Sequence, residues 1–152
     1  MISKQQVVMF VATGGNVGRI PIVPGTFGSL VGIPFAYLFS LMTFPAALTA
    51  NVLLMVLAVW AARGAERALG TKDPGAIVID EISGFCFTML AIPFTVMTCF
   101  AGFVLFRILD IIKLPPARQI DQRLKGGWGV VLDDVVAGIM GNILLRLGLY
   151  FL

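Results

Sequence analysis

Four of the eight carboxylates in this 152-residue chain come as neighbours, Asp80 with Glu81 and Asp133 with Asp134, and each pair stands at the mouth of an apolar run. Asp110 directly follows a run of the same kind. Ionisable groups set against apolar helices are costly to keep there, which makes them functional candidates. Adjacent carboxylates also repel, so they need a counter-charge, and a divalent cation bound through oxygen would supply it. Arg107, Lys113, Arg118, Arg123 and Lys125 share one segment with Asp110 and Asp121. Carboxylates that hold a cation, beside side chains that neutralise further oxygens, are the parts needed to handle an organic phosphate. The same basic residues fit equally well as juxtamembrane charge that sets topology and meets lipid head groups.

These groups sit in an unusually apolar chain. Hydrophobic residues make up 59% and charged residues 12%, where soluble domains carry about 25% charged residues. The mean hydropathy is +0.98. A chain so poor in charge cannot cover a water-facing surface, so lipid is the expected solvent. The length suits a single domain over residues 1–152. A net charge of +3 with no basic run gives no sign of nucleic acid, though it suits anionic head groups. With no histidine in the sequence, His-ligated zinc, phosphohistidine chemistry and a Ser-His-Asp triad are all excluded. Cys86 and Cys99 lie in an apolar stretch and read as small buried hydrophobes.

Four hydrophobic blocks must position the acids: residues 30–44, 46–62, 82–106 and 130–152. A shorter run at residues 7–12 reads as a first helix of the mature protein, not as a cleaved leader. The pattern predicts an all-α, multi-helix bundle embedded in a membrane, with irregular polar loops at one face. A distance argument then constrains the third block. As one straight helix it would hold Asp80 and Asp110 about 45 Å apart, on opposite sides of a bilayer. Pro93 can end or kink a helix, so the block is expected to break near residues 92–98 and return as a re-entrant hairpin with arms of about 16–20 Å. A single tilted span with unrelated acids at its ends is the competing arrangement. In the last block, Ala137, Gly138 and Gly141 offer a small-residue face that lets another helix approach closely.

Two glycine-containing motifs accompany the acids. PGTFGS, residues 24–29, precedes an apolar helix that Thr26 or Ser29 could cap, leaving its N-terminal amides to attract an anion. It lacks the Gly-Lys-Ser/Thr of a P-loop. Lys125, Gly126 and Gly127 could bring backbone N–H groups near an anion.

In order along the chain, VATGGNVGRIPIVPGTFGSLVGIPFAYL, DPGAIVIDEISGF and GFVLFRILDIIKLPPARQIDQRLKGGWGVVLDDVVAGIMGNILL together resemble the phosphatidylglycerophosphatase A family. The resemblance implies a bacterial inner-membrane, multi-pass enzyme, with its site at the cytoplasmic face. Its reaction would remove the terminal phosphate of phosphatidylglycerophosphate, giving phosphatidylglycerol, with Mg²⁺ as cofactor and membrane lipid as partner. It also implies a central helix surrounded by others. By motif, Asp80, Glu81, Asp133 and Asp134 would hold the metal, with Asp110 close behind. Arg107, Lys113 and Lys125 would contact phosphate, and Thr26 and Ser29 would lie nearby. Neither a Cys-x5-Arg loop nor an Asp-x-Asp-x-Thr motif is present. What remains is attack by a metal-activated water, with Glu81 or Asp134 as general base and Asp110 among the catalytic carboxylates. One departure stands out: FTVMTCF, after Pro93, is more apolar than a polar hairpin turn should be. A small cation transporter would instead line a pathway with the acids, and a non-catalytic lipid-binding protein would not need them. The number of metal ions and the oligomeric state are left open by the sequence.

Overall fold

A computed structural model describes residues 3–151. Among them are seven α-helices and no strand: α1 (Lys4–Ala12), α2 (Pro24–Ser40), α3 (Phe44–Leu69), α4 (Ile79–Thr88), α5 (Val96–Ile112), α6 (Ala117–Arg123) and α7 (Gly127–Tyr150). A 3₁₀ turn at Val17–Arg19 leads into α2. Local chemistry sets several of the ends. Ser3 and Gln6 form a capping box on α1, and Thr95 with Thr98 does the same for α5. α3 stops at Gly70, which takes the left-handed conformation that a side chain resists. α2 runs through Pro34 without a break. α3 is the one helix among the described residues long and apolar enough to cross a membrane.

α4 is the central helix. Nine of its ten residues are buried, and it packs against α2, α3, α5 and α7. A helix that is apolar on every side belongs inside a bundle. Its contact with α7 runs backbone to backbone. A Cβ built on Gly138 would lie 2.1 Å from the Gly84 carbonyl oxygen, and one on Gly84 would lie 2.7 Å from the Asp134 carbonyl oxygen. The small-residue face read from α7 is therefore the surface that seats the central helix, with Ala137 buried beside it.

The third hydrophobic block is a helical hairpin. α4 ends at Thr88 and α5 begins at Val96, so the chain leaves the helix a few residues before Pro93. The arms are unequal, about 15 Å for α4 and about 25 Å for α5, and the second is longer than expected. Thr98, in the first turn of α5, donates to the Pro93 carbonyl at 2.6 Å, and α7 supplies the remaining donors. Asn142 Nδ2 donates to the carbonyls of Thr88 (2.8 Å) and Leu90 (2.9 Å). Arg146 donates to those of Leu90 (3.0 Å) and Ala91 (3.1 Å), and its Nε binds Asn142 Oδ1. Irregular backbone must find such partners where it packs against protein, and here they come from a helix more than fifty residues further along the chain.

Candidate active site

The acids sit where this packing brings helix ends together. Asp80 and Glu81 occupy the first turn of α4, where the helix dipole favours negative charge. Asp134 comes from α7, held close by the Gly84–Gly138 crossing. Asp80, Glu81 and Asp134 can each offer an oxygen within 4.8 Å of the others. They form a group that can hold a metal ion. Asp80 Oδ1 and Glu81 Oε2 are buried without a hydrogen-bond partner, a costly arrangement that a bound cation would relieve. The donor set is all carboxylate, which suits a hard divalent cation.

Two cations edge this group. Arg107 donates to Asp110 Oδ2 at 2.7 Å and faces Glu81 Oε1 at 3.9 Å. Its Nε is buried with no partner. Lys113 Nζ donates to Asp133 Oδ2 at 2.5 Å and lies 3.8 Å from Asp121. Successive residues on a helix point about 100° apart, so Asp133 turns to Lys113 while Asp134 turns to Asp80 and Glu81. Of the four carboxylates expected to hold metal, Asp80, Glu81 and Asp134 are brought together, and Asp133 faces Lys113.

The same geometry governs protonation. Burial, then the Glu81 charge, pushes Asp80 well above the usual carboxylate range. Burial raises Glu81, against the opposing influence of hydrogen bonding to Asp80. Burial, then the charges of Asp110, Asp80 and Glu81, raises Asp134 well above its ordinary value. Asp133 is raised by burial to about 6 even though Lys113 opposes the shift. Burial works against the Lys113 ammonium, but the hydrogen bond and charge of Asp133 outweigh it and raise its pKa. A cation at the cluster would reverse the carboxylate shifts, because it favours the ionised forms.

A cleft of about 380 Å³ joins these parts. Besides Asp80, Glu81, Asp110, Asp133, Asp134, Arg107 and Lys113, it is lined by Gly25 and Thr26 at the start of α2 and by Asp73. A Cβ on Gly25 would lie 2.1 Å from Glu81 Oε1, so a side chain there would displace the Glu81 carboxylate. The PGTFGS motif is the opening of α2 itself. Its N-cap is Val23, and no side chain caps the helix, so neither Thr26 nor Ser29 has the capping role expected of it. Thr26 reaches the cleft. Ser29 is fully buried behind it, donating to the Gly25 carbonyl and meeting Arg107 Nη1 at 3.5 Å. Lys125 lies elsewhere, in a separate depression with Glu66, Lys72 and Gly126.

Sequence reasoning passed over Asp73, which lies in a Lys-Asp-Pro-Gly turn that reads as solvent loop. Asp73 is exposed at the cleft's edge, partial desolvation raises its carboxyl, and its backbone N–H is held by Glu66 Oε1 at 3.1 Å. Val23, Asp73 and Lys113 all have positive φ and all line the cleft. Such conformations are costly for non-glycine residues and gather at functional sites. No spacing in the sequence signals them.

Fold and site together define a class: an all-helical bundle with one buried carboxylate centre, fringed by Arg and Lys, at the mouth of its central helix. Comparison with known proteins narrows the class to one family. The phosphatidylglycerophosphatase A family model matches residues 10–149, and the chain belongs to that family. A phosphatidylglycerophosphatase A of Escherichia coli (strain K12) is 39% identical over 130 residues, covering 85% of this chain and 76% of its own. One from Haemophilus influenzae is 35% identical over 146 residues, covering 95% and 90%. A Bacteroides thetaiotaomicron protein, provisionally named a phosphatidylinositol-3-phosphatase, is 37% identical over 145 residues and covers 90% of each chain. No solved structure gives a significant match.

Proposed function

We propose that this protein hydrolyses phosphatidylglycerophosphate to phosphatidylglycerol and inorganic phosphate, with Mg²⁺ at the Asp80, Glu81 and Asp134 cluster. The observation that carries the reading is a single cleft lined by unpartnered carboxylate oxygens together with Arg107 and Lys113. A cation pathway would spread the acids along the bundle; here they meet at one end, which supports the enzyme over the transporter. Mg²⁺ bound there supplies charge neutralisation and Lewis-acid polarisation of the phosphoryl oxygens. The chain's own groups do the rest. Arg107, with its unpartnered Nε, Lys113 and the N-terminus of α2 receive the phosphate oxygens. Asp110 orients Arg107 through their 2.7 Å contact. Asp134, which has no basic partner among the described residues, takes the proton of the attacking water more readily than Glu81, which faces Arg107. As the new P–O bond forms, the bond to the glycerol oxygen breaks, and that oxygen regains the proton.

The proposed setting is the bacterial inner membrane, with several segments immersed and the cleft at the cytoplasmic face. Arg63, Arg67 and Lys72 lie at or just beyond the end of α3 nearest the site, in keeping with the cytoplasmic bias of basic residues. The test is phosphate release by purified protein from phosphatidylglycerophosphate in Mg²⁺ and in EDTA. Release in Mg²⁺ alone is expected, and no release in Mg²⁺ would refute the activity. Because one relative carries a different substrate in its name, phosphatidylinositol 3-phosphate belongs in the same assay. Faster release from it would move the reading to that lipid.

A further inference from the structure

The cleft accounts for a phosphate, but not for the rest of a phospholipid. α2 and α5 lie side by side with the start of α2 at the end of α5, since Ser29 meets Arg107 and Tyr37 meets Phe94 at the other extreme. Between them runs an apolar groove of about 690 Å³, walled by Leu30 and Ile33 on α2 and by Cys99, Phe100 and Phe103 on α5. Phe94 lines its far part, its ring packed edge-on against Tyr37 at 5.3 Å. The groove and the charged cleft lie at successive levels of the same two helices. Leu30 follows Ser29 directly, and Phe103 stands one turn before Arg107. From Arg107 back to Val96, α5 rises about 17 Å. One leaflet of bilayer hydrocarbon is about 15 Å deep.

We propose that this groove seats one acyl chain of the phospholipid whose phosphate occupies the cleft, so that α2 and α5 bind both the head and the tail. The proposal rests on the lipid-phosphatase reading above. Three features favour a tail over a protein helix as occupant: the single-leaflet rise of about 17 Å from Arg107 to Val96, the place of groove-lining Phe103 one turn from cleft-lining Arg107, and walls that are almost wholly apolar apart from Thr95. Leu30, Val96 and Phe100 are exposed along its rim, so a chain can enter sideways from the surrounding lipid.

The test uses the full chain in phosphatidylcholine vesicles with Mg²⁺ and two photoactivatable lipids, each bearing a diazirine in mid-chain. One is phosphatidylglycerophosphate, the other phosphatidylcholine. The first should crosslink to residues 30–33 and 96–103 about tenfold more than the second. Cys99→Trp, which fills the groove, should cut that labelling about tenfold, the equivalent of about two methylenes' burial. Ile33→Trp repeats the test from the opposite wall if Cys99→Trp does not fold. Equal labelling of the groove by both lipids, or labelling spread evenly over the outer face of α3, would overturn the proposal. Phosphate release measured on the same phosphatidylglycerophosphate probe separates the two readings. Groove-specific labelling without release would sink the phosphatase reading and leave the groove standing. Release with even labelling would do the reverse.

Discussion

Replacing Gly138 by alanine should dismantle the site from behind, without touching any residue that meets substrate. The added methyl would lie 2.1 Å from the Gly84 carbonyl oxygen, about 1.3 Å inside ordinary van der Waals contact. Both atoms belong to buried helices, so neither can swing aside as a flexible side chain would. α4 and α7 must part, at an overpacking cost of about 1–3 kcal/mol, only partly offset by alanine's helix preference of about 1 kcal/mol. Asp134 lies one turn before Gly138, and its oxygens lie within 4.8 Å of those of Asp80 and Glu81. A displacement of about 1 Å breaks a coordination sphere whose bonds are about 2.0–2.6 Å long, and misplacement on that scale costs about 100-fold in rate. Gly148 on the same helix has open space around its missing Cβ, so Gly148→Ala should be neutral or slightly stabilising. The assay pairs thermal melting with Mg²⁺-dependent phosphate release for both variants. Wild-type release by Gly138→Ala, or equal losses in the two variants, would refute the claim that the glycine crossing sets the carboxylate cluster.

Lys113→Ala should lower phosphate release by about 100-fold, while Lys125→Ala, in its separate depression, should stay within about twofold; the reverse order in a steady-state assay would overturn the site assignment. Without metal, the raised carboxylates favour the folded state most when protonated. Metal-free stability should therefore be greatest below pH 4, as judged by these groups, and fall as pH rises through about 6, where Asp133 ionises. Mg²⁺ opposes that loss, so its stabilising effect should be small at pH 5 and large at pH 8. Melting curves with and without EDTA test the sign, and a Mg²⁺ effect that shrinks with rising pH would contradict it. Arg146→Ala leaves the Ala91 carbonyl without its 3.1 Å partner and should speed amide hydrogen exchange across residues 89–95, with a smaller loss of activity than Lys113→Ala. Unchanged exchange there would show that the turn does not depend on α7.

The hairpin was legible because a length and a proline constrained it. Two acids that must meet cannot lie at opposite ends of a straight 82–106 helix, and Pro93 offered the break. Where the helix ends, at Thr88, was not legible, because its last carbonyls are answered by Asn142 and Arg146 from a distant segment. The apolar sequence after Pro93 was a misleading sign because the two threonines within it cap α5 and bond the Pro93 carbonyl, while α7 answers the rest of the turn. Asp73 escaped notice because its place in the cleft comes from the fold, not from its neighbours in sequence.

By itself the sequence marked the residues of a carboxylate and basic centre and an unusually apolar surround. Paired carboxylates, a basic segment, no histidine and 59% hydrophobic residues are properties of composition and spacing, which survive any folding. It also determined the helical class, through block length and small-residue patterning. Tertiary structure alone decided which acid does what. Asp133 and Asp134 are chemically identical neighbours, yet one faces Lys113 and the other faces Asp80 and Glu81. A helix turns them about 100° apart, and only the packing of α4 against Gly138 fixes which direction leads to the cluster and which to the ion pair.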